Sequence, residues 1–224
     1  MSGQTGKPAS LRDIAANVLG LALLVALAAL GLAYGIDAFN RSGAENGARD
    51  GGALIALNVA GVALSVPERA FRGAGGRGGT FSERVDLVVT LALGTSPPLP
   101  VTLSLVPKAR ARPSSVLLDS VFLQRFSDTE KKGMPGLIGK PLTGGDGYDG
   151  ETVWYDPISI HPFAAKCDAP LSDKDEGRCI RTIELDSGLA AILGFAAPRL
   201  ADWREMDAPL TAFLAEIGAG APLR

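Results

Sequence analysis

Hydrophobic positions along this chain follow two different periods, and one stretch follows none. Ile14–Ile36, IAANVLGLALLVALAALGLAYGI, is uncharged throughout and lies between Asp13 and Asp37. A helix rises about 1.5 Å per residue, so this run can cross the ~30 Å hydrocarbon core of a bilayer with some tilt. Lys7 and Arg12 precede it, as they would in a signal peptide, and Ala26-Leu27-Ala28 resembles a cleavage site. The apolar run continues well past that point, however, and the core of a signal peptide is usually only about 7–15 residues. An uncleaved transmembrane anchor is predicted, with Tyr34 at an interface. It leaves residues 1–13 as a short tail. Phe39–Gly52, FNRSGAENGARDGG, has no apolar period and makes residues 37–52 a flexible linker.

From Ala53 onward the period is mostly two. Leu54–Val59 and Val62–Val66 flank Ala60-Gly61 and predict a hairpin. Arg84–Leu93 and Pro100–Val106 alternate as strands. The pattern then changes. Leu118, Phe122 and Phe126 recur at steps of four beside Leu117 and Val121, which predicts a mid-chain helix capped by Ser114 or Ser115. Gly136–Leu142, Glu151–Tyr155 and Phe163–Cys167 read as further strands. Arg178–Leu185 and Leu189–Phe195 form a hairpin about Asp186-Ser187-Gly188. Leu200, Trp203, Met206, Leu210, Leu214 and Ile217 mark a C-terminal helix starting near Pro198, which Pro209 is expected to kink or split, with Asp207 capping the second piece. The fold class predicted is α+β: a transmembrane helix (14–36), then a mostly antiparallel β domain (53–224) with a mid-chain and a C-terminal helix.

The formal net charge of −2 gives no electrostatic footprint for a nucleic-acid partner. The basic residues tie across the anchor, Lys7 and Arg12 against Arg41 and Arg49, while Asp37, Glu45 and Asp50 burden the distal side. The only cysteines, Cys167 and Cys179, are close in sequence. They lack the CxxC spacing of a redox centre, and the single histidine cannot complete a Cys/His zinc set. A structural disulfide is predicted, which places the body in an oxidising compartment. The chain thus reads as a single-pass protein of the bacterial inner membrane with its C-terminal domain in the periplasm.

The densest chemistry lies in GYDGETVWYDPISIHPFAAKC, Gly147–Cys167, which holds the lone histidine, His161. No nucleophile elbow such as GxSxG accompanies it. Asp146, Asp149 and Glu151 echo calcium ligands, but Tyr148 stands where a second ligand belongs. Glu151 and Asp156, as a carboxylate pair on one strand, would point to opposite faces. The glycine-rich Phe71–Phe81 loop, with Arg72 and Arg77, lacks the lysine of a phosphate-binding loop and leaves room only for weak contact with anionic lipid or polymer. No catalytic residue, metal ligand or cofactor is predicted. The segment is expected to be sheet and loop, with Trp154 and Tyr155 on opposite faces.

The set RVDL (84–87), GYDGE (147–151), YDP (155–157), PFAAKC (162–167), CIRTIEL (179–185), SGLAAILGF (187–195) and LADWREMD (200–207) resembles a group of uncharacterised proteobacterial membrane proteins. The resemblance implies a single-pass anchor and a compact extracytoplasmic domain, and carries no activity. The function expected is a membrane-anchored periplasmic accessory or interaction module, a subunit of an inner-membrane or envelope complex. The alternatives are an envelope hydrolase acting on polymer or lipid through the Asp146–His161 region, and a sensor, which the short tail disfavours. Partners are the lipid bilayer and a membrane protein met through the anchor or the periplasmic domain. Gly31 and Gly35, with Ala29 and Ala33, form a small-residue stripe that lets a second transmembrane helix approach closely.

Overall fold

The computed structural model describes residues 53–71, 81–145, 150–170 and 176–223. The anchor with Gly31 and Gly35, the linker, Arg72 and Arg77, and Asp146, Tyr148 and Asp149 lie outside those residues. Among the described residues no helix is long and apolar enough to cross a membrane.

The first hairpin forms where the pattern placed it. Strands β1 (Leu54–Val59) and β2 (Val62–Pro67) pair antiparallel. Their two-residue turn puts Ala60 at φ 51° and Gly61 at φ 94°, the left-handed pair that matches strand twist. Asn58 Oδ1 accepts the Gly61 N–H at 2.7 Å and closes the turn. A short β3 (Phe81–Ser82) runs parallel to β1.

The main sheet has seven strands: β4 (Val85–Leu91), β5 (Leu99–Pro107), β6 (Ile138–Pro141), β7 (Thr152–Tyr155), β8 (Ala164–Cys167), β9 (Arg178–Glu184) and β10 (Leu189–Ala196). Their order is β4-β5-β10-β9-β8-β7-β6, with every neighbouring pair antiparallel. Alternation decides the faces. In β4, Val85, Leu87, Val89 and Leu91 are buried, while Asp86, Val88 and Thr90 are exposed. The buried face meets helix α2 (Trp203–Glu216) through Met206, Leu210 and Leu214, and joins Val59, Leu64 and Val66 of the hairpin in one core.

The mid-chain helix covers part of the other face. It begins as α1 (Ser114–Leu117), widens to a π turn at Leu118–Phe122 and tightens to a 3₁₀ turn at Leu123–Arg125. Leu118 and Phe122 bury against Leu142 and Val153, and Phe126 stacks on Tyr155 with centroids 5.9 Å apart. Trp154 lies in the main core, so the two aromatics do take opposite faces. The expected serine cap is absent. Pro113 holds the N-cap position without a side-chain bond, and the buried Ser114 hydroxyl instead accepts the Thr182 N–H at 2.9 Å.

Pro209 does not split the C-terminal helix, which is continuous from Trp203 to Glu216. An interior proline costs about 3 kcal/mol. Burying Met206, Leu210 and Leu214 returns roughly 1.5–3 kcal/mol each, which outweighs it. Asp207 caps nothing and pairs with Arg181. The helix ends at Gly218, φ 79°, where Ala219 N–H reaches the Leu214 carbonyl (2.8 Å) and Gly218 N–H the Ala215 carbonyl (3.1 Å).

Cys167 and Cys179 are bonded. Their Cα atoms are 3.9 Å apart, closer than the usual ~4.4–6.8 Å. The two residues stand directly opposite each other on β8 and β9, and Asp168 N–H donates to the Arg178 carbonyl at 2.9 Å beside them. That is the non-hydrogen-bonded register, in which Cα atoms approach most closely. With a sequence separation of 12, reducing the bond should cost about 3 kcal/mol of stability. Thermal unfolding with and without dithiothreitol checks this.

A polar clamp ties the β4–β5 loop to the start of α2. Thr95 donates to Glu205 from N–H (3.0 Å) and hydroxyl (2.6 Å). Ser96 donates to Asp202 (2.7 Å), and Arg199 bridges Asp202 (2.7 Å) to the Pro97 and Pro98 carbonyls. The Ser96 hydroxyl holds the Asp202 carboxyl below its ordinary range; partial burial opposes this and Arg199 assists it. A carboxyl depressed in the folded state stabilises fully above its unfolded pKa of about 4 and stops doing so as pH falls through the folded value. Acid titration of unfolding should show stability falling below about pH 4, and Asp202→Asn should flatten that slope.

Candidate interaction surface around the loop after β7

The loop joining β7 to β8, residues 156–163, is built by its own polar side chains. Asp156 Oδ1 accepts the Ile158 N–H at 3.0 Å, and Ser159 Oγ accepts the His161 N–H at 3.2 Å. Asp156 N–H closes the base on the Phe163 carbonyl at 3.0 Å. Pro157 and Pro162 stiffen both ends by fixing φ. These bonds occupy the inward groups of the loop and leave its apolar side chains facing water. Ile158 is 89% exposed and Ile160 91%.

The loop is held to the core at one point. Phe163 is buried, packs on Trp203 with centroids 5.2 Å apart, and carries the Arg181 guanidinium 4.5 Å above its ring. Arg181 in turn pairs with Asp207 of α2. Trp203 donates from Nε1 to the Pro135 carbonyl at 3.0 Å. A loop seated on this stack presents its tip in a defined direction.

Beside the tip the sheet opens. β8 and β9 pair only at Lys166↔Ile180 and Cys167↔Cys179. Further along β9 the Ser114 hydroxyl takes the Thr182 N–H, while the Glu184 carbonyl accepts Leu223 N–H at 2.9 Å. Between them lies a cavity of about 210 Å³. Ser115, Val116, His161, Pro162, Glu184 and Leu223 are among its walls. Val116 and Leu223 are half-exposed apolar residues of its wall, and the loop that carries Ile158 and Ile160 reaches it through His161 and Pro162. Apolar surface gathered in this way is what protein contacts use.

Two of the residues weighed for chemistry, Glu151 and Asp156, make structural contacts, while Asp146 and Asp149 lie outside the described residues. His161 hydrogen-bonds through its backbone, and its ring has no partner among the described residues. Glu151 pairs with Lys166 on β8; its Oε2 is shielded and has no hydrogen-bond partner among the described residues. Asp156 shapes the loop. Among the described residues no group of three or more His, Cys, Asp or Glu side chains could hold a metal. The two isoleucines were overlooked in the sequence, although their setting between Pro157 and Pro162, where no sheet can claim them, was a readable signal.

No protein-family model and no curated protein sequence matches the chain. The chain is similar in fold to a solved structure, Smlt3025, an immunity protein of the Stenotrophomonas maltophilia type IV secretion system. The match has a TM-score of 0.50 at 12% identity and covers 72% of this chain and 92% of that one. A likeness at that identity is one of architecture.

His161→Ala should leave the unfolding free energy within about 0.5 kcal/mol of wild type, since nothing in the core depends on the ring. Phe163→Ala should cost roughly 3–5 kcal/mol. Chemical denaturation of the two variants distinguishes the exposed residue from the one that seats the loop.

Proposed function

We propose that the chain is a non-catalytic envelope protein, tethered to the inner membrane by Ile14–Ile36, whose periplasmic domain binds a protein partner. The observation that carries this reading is the pair Ile158 and Ile160, about nine-tenths exposed on a loop whose shape is fixed beforehand. Preordering lowers the entropy lost on association, and two fully exposed isoleucines gain most from being covered. The disulfide supports an oxidising compartment. The fold shared with a secretion-system immunity protein supports binding as the mode of action, and a secreted protein that the domain neutralises is the partner class favoured.

The experiment is recovery of the partner with the full-length chain from mild detergent, identified by mass spectrometry and repeated with purified components. Ile158→Asp with Ile160→Asp should weaken association at least about a hundredfold, with the thermal midpoint unchanged. Unchanged association by the double variant would remove the loop from the interface and with it the basis of the reading.

A further inference from the structure

We propose that the cavity between β8 and β9 receives a tyrosine side chain of the protein partner, an assignment that rests on the interaction reading above. Size is the first argument. The cavity holds about 210 Å³, and a buried cavity of about 150 Å³ already accommodates a benzene ring. Polarity is the second. Val116, Pro162 and Leu223 offer apolar contacts for a ring, while Ser115, Thr182 and Glu184 supply polar groups. An occupant with an apolar body and one polar tip matches that division, and tyrosine and tryptophan are the side chains that combine the two.

Charge narrows the choice. Glu184, a residue of the cavity wall, receives Lys108 on Oε1 at 3.2 Å, and with no partner on Oε2 among the described residues its carboxylate keeps acceptor capacity. A donor-tipped occupant is required. Arg181 stands in the same wall, its guanidinium committed to Asp207 and the Phe163 ring. The smaller of the two aromatic donors suits the volume. Tyrosine is also among the residues that most often dominate binding energy when they fill a pocket at the centre of a contact. Here the cavity adjoins the loop that carries Ile158 and Ile160, so one partner surface can cover both.

The test uses p-cresol as the probe and the full-length chain in detergent micelles at one fixed pH. His161 is the chain's only histidine, so its imidazole protons give an unambiguous NMR signal in the cavity wall. A saturable ring-current shift is expected at millimolar p-cresol. The isosteric 4-methylanisole, which has no hydroxyl donor, should bind at least about fivefold more weakly, and Glu184→Leu should weaken p-cresol by a similar factor. Ser115→Phe, which fills the cavity from its wall, should abolish the shift. No saturable shift, or equal binding by the two probes, overturns the proposal on the unmutated chain. In the partner assay, Ser115→Phe should reduce association at least about tenfold. If it does not, while Ile158→Asp with Ile160→Asp does, the tyrosine is overturned and the interaction reading stands. Unchanged association by both variants ends both.

Discussion

The seam between β8 and β9 is the constraint on which the rest of the domain depends. Every other neighbouring pair in the seven-stranded sheet is joined over at least four residue positions, but this one rests on Lys166↔Ile180 and Cys167↔Cys179. The sheet is therefore two blocks, β4-β5-β10-β9 and β8-β7-β6, held by one short contact. The covalent bond falls at that contact. It supplies there what backbone pairing does not, and it lets the strands diverge further along without parting.

The divergence in turn makes the candidate surface. Where β8 leaves β9, the Ser114 hydroxyl replaces a strand carbonyl and the C-terminal segment replaces a strand, so the gap is lined rather than filled. The loop leading into β8 emerges at the same place, steered by Phe163 between Trp203 and Arg181. A single packing choice thus fixes the seam, the cavity and the direction of the two isoleucines.

Much of this domain was legible in the chain because its signals were local. The β1–β2 and β9–β10 hairpins followed from alternation around Ala60-Gly61 and Asp186-Ser187-Gly188, and the cysteine pair from its spacing. Three features were not local. Neighbouring β5 and β10 pair across about half of the domain's length, and no short window encodes that. Ser114 reads as a cap because caps are the commonest use of serine at that place, yet a strand amide outbid the helix end. Pro209 reads as a break because propensity was judged without the burial of Leu210 and Leu214. At the candidate site, attention to ionisable residues hid the apolar ones: His161 and the acids attract notice in a sequence, whereas exposure, which gives Ile158 and Ile160 their meaning, exists only in three dimensions.

The connection between the cysteines also bears on how the domain comes to be assembled. Closing the Asp168–Arg178 loop is entropically cheap because the loop is short, whereas β5 must wait for β10, synthesised much later. Local pairings form faster than distant ones. The hairpin β9–β10 and the strand run β6–β7–β8 can each be in place, and oxidised together across their seam, before β5 closes onto β10. The bond would then act as a basting stitch, holding two pieces in register while the long-range edge is joined. On that schedule the last strand of the sheet to be laid down is the one that admits the earlier ones, and a chain left without an oxidant would dwell longest with the β4–β5 pair not yet joined to β10.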